Sequence, residues 1–326
     1  MNAPVTRPFV TDPVLTQMAV NFKNPDIAYI ADEVMPRLDV GGEKYDYDYF
    51  PPEELFTVPD TRVGRRGRPN QVEFNSEKRQ AAVVDHGLDD PIPVSDINEA
   101  ARQRQAGNTR YDPEARAVEG LTHLVKLDRE VRVAGLVMDA SNYDADKQVT
   151  LTGADKWSDD TSDPIEDVIA AMDATFIARP NIAVCSRDVY SRLRVHPRIV
   201  SMVLGNDGTS GIVTAQQIAE RMELQAIFVG DTYANMARKG QPANVQRLWG
   251  NGFALLHRNR MASTDNGLPT WGFTAQLPVN GEVMMAGRIV DANGGGLEGS
   301  VTVRVGEKVQ EHIVAPAVGY LINAPI

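Results

Sequence analysis

A single long helical segment, from Asp112 to Met138, constrains the fold more than any other stretch of the chain. Asp112 can accept a hydrogen bond from a free N–H group of the first turn, and Pro113 takes the first helical position, where a missing donor costs nothing. At 1.5 Å per residue the segment is a rod of roughly 40 Å, whereas the average helix has about 11 to 12 residues. We therefore predict a spine against which other elements pack; the alternative is an ordinary core helix of an α/β enzyme.

Apolar residues recur along this rod at helical spacing and change face once, which predicts one buried side and one solvated side. The first stripe is Ala115, Val118, Leu121 and Val125, and the second is Leu124, Leu127, Val131, Ala134 and Met138. Lys126 with Glu130, and Asp128 with Arg132, lie one turn apart. We expect both ion pairs on the solvated side, where each contributes about 0.2 to 0.5 kcal/mol.

Length and composition bound the class of protein. The 326 residues suffice for roughly two domains of about 150 residues each. No run of about 18 apolar residues could span a bilayer and the start of the chain lacks a signal-peptide pattern, so we expect a cytosolic protein with no membrane partner. One cysteine, Cys185, excludes an intrachain disulfide and a thiolate zinc cluster. The net charge of −11 opposes non-specific nucleic-acid binding but permits a local basic patch.

Two N-terminal segments carry too little apolar sequence to stabilise themselves. Residues 1–42 are polar and punctuated by prolines, which predicts an extended arm with one short helix. Residues 43–97 predict a long hairpin, because aromatic and apolar residues alternate at strand spacing on both of its sides. The alternating residues are Tyr45, Tyr47 and Tyr49 on one side, and Val72 and Phe74 on the other. A two-stranded hairpin is marginal in water, so we expect both segments to pack against something else.

Four arginines, Arg62, Arg65, Arg66 and Arg68, lie in a glycine-broken turn of this hairpin. A solvated loop tip, a nucleic-acid contact and docking onto an acidic surface of another copy are the three interpretations. We favour docking, because arginine forks suit carboxylates and the chain has 44 acidic residues. These arginines, together with Tyr45, Tyr47 and Tyr49, are the candidate inter-subunit contacts.

The second half of the chain first alternates between helix and strand signals. Asp163 and Pro164 open a helix, and Thr214 with Gln217 forms a capping box before another. Short apolar runs at 182–185 and 226–229 predict buried strands between them. From residue 245 onward the apolar period becomes two, which predicts long antiparallel strands.

Asp85, His86, Asp89 and Asp90 form the densest set of candidate metal ligands, and a histidine beside carboxylates could act as a general base. No second histidine lies nearby in the sequence, and the surrounding residues are typical of a loop. A solvated turn is therefore the preferred interpretation. An α/β metal-dependent hydrolase using the Asp85-His86 region is the alternative function.

Other motifs do not meet the requirements of a site. Gly294, Gly296 and Gly299 fit a dinucleotide fingerprint, but strand sequence follows where a helix is required, so a hairpin loop is predicted. Residues 205–211 lack the Gly-Lys-Ser/Thr end of a phosphate loop. Cys185 lies in a predicted buried strand, which disfavours a nucleophile. We predict no catalytic residue, no cofactor and no metal.

The layout resembles the major capsid proteins of tailed bacteriophages, which have the Hong Kong 97-type fold. Residues 181–186, Val189-Tyr190 and His196-Pro197 look like the axial-domain strand and helix of that family. Residues 229–231, 248–250 and 315–322 also look like stretches that recur in such proteins. None of these strings is a catalytic signature.

The resemblance implies an α+β capsid fold in four parts. These are an N-terminal arm (1–42), an extended loop called the E-loop (43–97), a peripheral domain (98–180 and 261–312) with the spine helix 112–138, and an axial domain (181–260 and 313–326). It implies a non-enzymatic major capsid protein that self-assembles as hexamers and pentamers into the icosahedral shell around phage double-stranded DNA.

The resemblance also implies partners. No long charged helical segment precedes the arm, so we expect a separate scaffolding protein. A portal protein, a decoration protein and packaged DNA held by weak non-specific contact are the other expected partners. The expected location is the virion capsid, with assembly in the host cytoplasm. Lysines are few in the hairpin (Lys44 and Lys78), so we predict no covalent crosslink between subunits.

Overall fold

The computed structural model describes residues 10–22, 28–49, 58–63, 65, 67–69, 71, 77–205, 211–238, 240–261, 269–291 and 297–326. The helices in these ranges are α1 (Pro13–Asn21), α2 (Ala31–Val34), α3 (Val94–Gln105), α4 (Pro113–Val137), α5 (Pro164–Asp173), α6 (Arg187–Leu193), α7 (Pro197–Leu204) and α8 (Ala215–Arg221). Arg66, Val72, Phe74, Gly294, Gly296 and most of the 205–211 loop lie outside the described residues.

The strands in the same ranges are β1 (Val10–Thr11), β2 (Arg37–Asp39), β3 (Lys44–Tyr49), β4 (Glu77–Ala82), β5 (Val84–Pro93), β6 (Gln148–Thr150), β7 (Ile182–Ser186), β8 (Ala226–Gly230), β9 (Tyr233–Asn235), β10 (Val245–Arg247), β11 (Gly252–Leu256), β12 (Gly272–Gln276), β13 (Met284–Asp291), β14 (Ser300–Ile313) and β15 (Gly319–Asn323). Helices and sheets are mixed along the chain, so the predicted α+β class is confirmed.

The spine helix α4 begins and ends where the sequence predicts. The Asp112 carboxylate accepts from the N–H groups of Glu114 at 3.1 Å and Ala115 at 3.5 Å, and Pro113 is the first helical residue. The buried face comprises Pro113, Ala117, Val118, Leu121, Thr122, Val125, Arg129, Glu130, Val133, Ala134 and Val137. The helix therefore buries one continuous stripe over its whole length.

The predicted change of face along the spine is wrong. Leu124, the first residue of the second predicted stripe, is 48% exposed, whereas Arg129 and Glu130 are buried. Glu130 therefore does not lie on the solvated side with Lys126, whose ammonium donates to the carbonyl of Phe22 at 2.6 Å. The other predicted pair, Asp128 with Arg132, does form.

A six-stranded sheet supports the first half of the spine. Its longest strand, β14, pairs with β13, β12 and β5. Strand β13 pairs in turn with β1, and β12 pairs with β2. Val309 pairs with both Val84 of β5 and Gln276 of β12, so β5 lies on the edge of β14 opposite to β12. Strand β5 thus forms one border of this sheet. Apolar residues of α1 and the spine cover the sheet and form one core with Val303 and Val305.

A five-stranded sheet in the order β6-β15-β11-β7-β8 supports the second half of the spine. Strands β7 and β11 are buried along their whole length, because both faces of the sheet are covered. One face packs with Val133, Ala134 and Val137 of the spine, and the other packs with α5 to α8. The spine therefore contacts both sheets.

Residues 148–180 pack into the core that contains β7. Leu151, Trp157, Val168 and Met172 belong to the same apolar cluster as Cys185. The family resemblance assigns 148–180 to the peripheral domain. The domain division itself stays a prediction.

The described part of the N-terminal arm lies on its own chain. Val10 in β1 pairs with Arg288 of β13, and β2 runs parallel to β12. The arm contains two helices, α1 and α2, rather than the one that the sequence predicts, because four residues suffice for the short α2. Asp291 pairs with Ser300 across β13 and β14, so the strands on either side of the predicted glycine loop form an antiparallel pair, while Gly294 and Gly296 of that loop lie outside the described residues.

Two glycines offer a matched test of packing. A Cβ on Gly230 would lie 2.0 Å from the indole of Trp249, whereas a Cβ on Gly135 of the spine meets nothing within 4 Å. We expect Gly230→Ala to lower the free energy of unfolding of the unassembled chain by roughly 1 to 3 kcal/mol or more, because the indole has to move.

Gly135→Ala should raise the free energy of unfolding by roughly 0.5 to 1 kcal/mol, because alanine is the better residue in a helix interior. Urea unfolding followed by circular dichroism measures both variants. Equal stability of the two would contradict the close contact between Gly230 and Trp249.

Candidate inter-subunit surface and the charge cluster behind it

The candidate inter-subunit surface is the tip of the hairpin formed by β3 and β4. These strands pair antiparallel from Lys44 with Ala82 to Tyr49 with Glu77. Arg62, Arg65 and Arg68 are exposed, and their side chains form no ion pair with any residue in the described ranges. The backbone N–H of Arg62 donates to the carboxylate of Asp60 at 2.9 Å. The tip therefore presents cationic side chains that the subunit's described part does not use.

The base of the hairpin packs against its own subunit. The ring centroid of Tyr45 lies 6.0 Å from that of His312, and Tyr47 meets Phe273 edge-on at 6.3 Å. Tyr45 is buried, and burial raises the pKa of its hydroxyl. The assignment of these two tyrosines as inter-subunit contacts stays a prediction; within the subunit Tyr45 is buried and Tyr47 is half-buried. The side chain of Tyr49 lies outside the described part.

Two ion pairs of Lys308, together called the Lys308 clamp, also stabilise the base of the hairpin. The ammonium of Lys308 on β14 lies 2.5 Å from a carboxylate oxygen of Glu43 and 3.3 Å from one of Asp85. Glu43 precedes β3 and Asp85 lies in β5, so one lysine joins both chain segments that flank the hairpin. The aromatic packing and this clamp hold the base, whereas the described residues of the tip are exposed.

Behind the hairpin, a buried charge cluster joins the arm, the spine and the six-stranded sheet. Arg129 has a side chain that is 2% exposed; its guanidinium pairs with Asp32 of α2 and donates to the hydroxyl of Thr274 at 3.0 Å. Arg37 lies 2.8 Å from both Asp32 and Glu307. Because these charges alternate in sign, each buried group has a partner of opposite charge.

Arg132 extends the cluster along the spine. Its guanidinium donates two hydrogen bonds to the carboxylate of Glu311, at 3.1 and 3.0 Å. This is the bidentate geometry that suits an arginine fork. Glu311 is nearly inaccessible, and Arg132 gives this buried carboxylate a partner of opposite charge.

Glu130 forms a second buried contact beside the cluster. Its carboxylate accepts from the N–H groups of Ile30 at 3.1 Å and Ala31 at 2.9 Å, and from the indole N–H of Trp249 at 2.8 Å. The residue preceding α2 supplies no side-chain cap, so Glu130 caps that helix from the spine. The same carboxylate therefore connects the arm, the spine and the segment before β11.

The carboxylates of Asp32, which is 59% exposed, and of the buried Glu130 respond to their surroundings in opposite directions. Burial alone would raise the pKa of Asp32, but the guanidinium groups of Arg129 and Arg37 outweigh it and hold the pKa below its ordinary value. Burial raises the pKa of Glu130, and the N–H donors around it offset only part of that rise.

The candidate metal ligands do not converge. Asp85, His86, Asp89 and Asp90 lie in β5 and not in the predicted turn, because ten residues there pair with β14. Asp89 accepts two hydrogen bonds of 2.7 Å from Arg304. No group of three or more metal-binding side chains gathers within the described ranges. Nothing here supports the hydrolase alternative.

Cys185 lies in β7, where it is fully buried, as the sequence predicts. Burial raises the pKa of its thiol to about 12. A thiol in that state is not a nucleophile near neutral pH.

In the part of the chain that the structure covers, no helix is long and apolar enough to cross a membrane.

Comparisons with known proteins agree with the resemblance seen in the sequence. A family model described as "Phage major capsid protein E" matches residues 138–251. The major capsid protein of Pseudomonas phage JBD67 is 41% identical over 316 residues, which are 97% of either chain.

Solved structures agree on the fold. A phage-related protein from Bordetella bronchiseptica superposes with a TM-score of 0.73 at 21% identity, over 98% of this chain and 99% of that one. The capsid structure of cyanophage P-SCSP1u gives a TM-score of 0.55 at 9% identity, over 93% of this chain and 90% of that one. The predicted Hong Kong 97-type fold is confirmed.

Removing Arg129 tests the buried cluster. We expect Arg129→Ala to lower the free energy of unfolding by about 3 to 5 kcal/mol, because carboxylates buried around it lose a cation. The control is Arg102→Ala on α3, where the side chain is 73% exposed and lies 3.7 Å from Glu99. Its cost should stay within about 0.5 kcal/mol. Equal costs in urea unfolding would contradict a structural role for the cluster.

Acid sensitivity tests the charge on Asp32. Its folded pKa is lowered, so its stabilising effect is present above an unfolded pKa of about 4 and is lost as the pH falls through the folded value. Asp32→Asn should therefore be less stable than the wild type near pH 7, and the gap should close as the pH is lowered. Thermal melts across this range measure the gap, and a pH-independent gap would contradict the ionic role of Asp32.

Proposed function

This chain belongs to the family of phage major capsid proteins, and from that premise we propose that it assembles as hexamers and pentamers into an icosahedral shell that encloses phage double-stranded DNA. A shell of this kind needs heterologous contacts, in which different patches of neighbouring copies meet. The observation that carries the proposal is the hairpin, whose base is fixed and whose cationic tip is exposed.

The tip supports a role in assembly because it adds nothing to the described core of its own subunit. Val58 is 91% exposed and Val63 is 44% exposed, so both offer apolar contact area to a partner. We expect each subunit to bury well above the roughly 1,600 Å² of a standard interface, spread over several neighbours.

The other partners follow from the same function. A separate scaffolding protein guides the shape of the shell, a portal protein occupies one vertex and a decoration protein binds the outside. The packaged DNA meets an inner surface to which it binds weakly, because a subunit of net charge −11 repels a polyanion. Assembly takes place in the host cytoplasm, and the subunit acts as a structural protein without enzymatic activity.

Mass and shape measurements test the proposal directly. The full chain, produced alone and together with the phage's other structural proteins, is analysed by light scattering and electron microscopy. Rings or closed shells of many copies are the expected result. A monomer under both conditions would overturn the proposed function.

Deleting residues 60–70 tests the hairpin separately. We expect shells to be lost while the thermal melt of the subunit stays unchanged, because the described residues of this segment are exposed and belong to no core cluster. A matched variant replaces Arg62, Arg65 and Arg68 by lysine, which keeps the charge but removes the bidentate fork. It should assemble to an intermediate extent. Normal shells from the deletion variant would contradict the role of the hairpin.

A further inference from the structure

Residues 157–163 form a segment at the surface of the core that contains β7, and few side chains hold it there. Trp157 is buried in that core, whereas the residues that follow it lie largely at the surface. Arg192 of α6 donates to the carbonyl oxygens of Trp157 at 2.6 Å and Ser158 at 2.9 Å. It also pairs with Asp160 at 2.6 Å. A guanidinium stays charged in proteins, so Arg192 holds the segment in the same way at neutral and at mildly acidic pH.

His196 makes the second attachment of this segment and also caps α7. Its ring is fully buried, and its Nδ1 accepts from the backbone N–H of Arg198 in the first turn of α7 at 3.3 Å. Its Nε2 lies 3.1 Å from the carbonyl oxygen of Asp159 and 3.3 Å from the hydroxyl oxygen of Ser162. A carbonyl oxygen can only accept, so Nε2 carries the proton and Nδ1 is the acceptor. The neutral imidazole therefore uses both nitrogens, one on each element.

The protonated imidazole cannot keep both contacts. It carries a hydrogen on each nitrogen, so Nδ1–H would face the N–H of Arg198 and the first turn of α7 would lose its side-chain cap. Burial lowers the pKa of His196 below its ordinary value of 6.5. The hydrogen bond to the carbonyl of Asp159 offsets only part of this effect. The closed contact therefore selects the neutral form.

The charges around the ring leave a pH range in which His196 alone responds. The charged groups that face it are Arg192 of α6, Arg198 of α7, and Asp159, Asp160 and Asp163 of the segment, the last of which lies 3.7 Å from Arg198. The arginines stay charged, and aspartate has an ordinary pKa of about 4. Between about pH 7.5 and about pH 5, His196 is therefore the group of this set whose charge can change.

We propose that His196 is a pH-sensitive latch between residues 157–163 and α7, which is closed by the neutral imidazole and opens with the uptake of one proton. In the open state the imidazole has its ordinary pKa of about 6.5, so acid favours that state. The latch contributes its full stability above this pH and loses it as the pH falls towards the lower pKa of the closed state. Because Ile199 and Val200 of α7 belong to the core that contains β7, opening loosens one side of that core.

Hydrogen exchange of the unassembled full chain, followed by mass spectrometry, tests the latch. Peptides that cover residues 157–163 and 197–204 report its opening. After correction for the intrinsic pH dependence of exchange, their exchange should rise about tenfold per pH unit below about pH 6.5, because one proton is taken up on opening. The rise should end where the pKa of the closed state is reached. Exchange in these peptides that does not change between about pH 6.5 and about pH 5 would overturn the proposal.

Two histidine variants provide a matched comparison. His196→Asn keeps an oxygen that can cap α7 but does not titrate, so the pH dependence of exchange should disappear. His257→Asn removes a histidine whose ring donates to the carbonyl of Arg179 at 2.9 Å, away from the latch, and should keep the wild-type dependence. A wild-type pH dependence in His196→Asn would assign the opening to another group and would overturn the proposal.

A titration of the histidine rings tests the latch without relying on a variant. The chain has five histidines, so ring carbon labelling and nuclear magnetic resonance give few signals. We expect one ring, in the tautomer with hydrogen on Nε2, to titrate below the ordinary value of 6.5, and its signal to be absent from His196→Asn. If the signal of His196 titrates at or above this value, the closed state does not select the neutral ring and the latch is excluded. All of these measurements use the unassembled subunit, so their outcome is independent of shell formation.

Discussion

The arrangement of this subunit depends on two adjacent charged residues in the buried stripe of the spine. Arg129 points to Asp32 and Thr274, and Glu130 accepts from Ile30, Ala31 and Trp249, so the arm and both sheets meet at one turn of helix. Burying such charges costs several kcal/mol per ion, and the contacts offset this only when every group is paired. The arm segment also buries Ile30, Ala31, Val34 and Met35 in the core beside the spine. Apolar packing therefore holds the segment in place, and the hydrogen bonds and charge pairs, which have a required geometry, add a constraint on its position.

The limits of the sequence-based prediction are visible at the same turn. The ends of the spine could be predicted because caps are local: Asp112 and Pro113 act on backbone groups within a few residues. The buried stripe could not be predicted, because charged side chains are normally assigned to the solvated face. The helical spacing of this stripe was present in the sequence, since Val118, Leu121 and Val125 continue at that spacing through Arg129 to Val133. Recognising it required the partners of Arg129 and Glu130, which lie far away in the chain and become neighbours only in the fold.

The structure of the segment from Val84 to Pro93 was wrongly predicted for a different reason. Its aspartates, glycine and two prolines are typical of a loop, yet it forms a ten-residue strand. An edge strand explains the composition, because proline and charge on an open edge prevent pairing with other chains. In a protein that exists in many neighbouring copies, an unprotected edge would offer an incorrect contact at every subunit. The prolines and aspartates that made this segment look like a loop are therefore the residues that keep the edge strand from pairing with other chains.

The division of the hairpin into a fixed base and an exposed tip has an energetic consequence. Ordering a free segment on binding costs roughly 0.5 to 1.5 kcal/mol per immobilised side chain, and this cost reduces the net affinity. Tyr45, Tyr47 and the Lys308 clamp order the base within the subunit. For the proposed assembly, the base therefore adds no ordering cost when a neighbouring copy binds. A modest set of arginine contacts would then be sufficient for that assembly, and contacts that are individually weak can be broken and formed again until the copies are correctly placed.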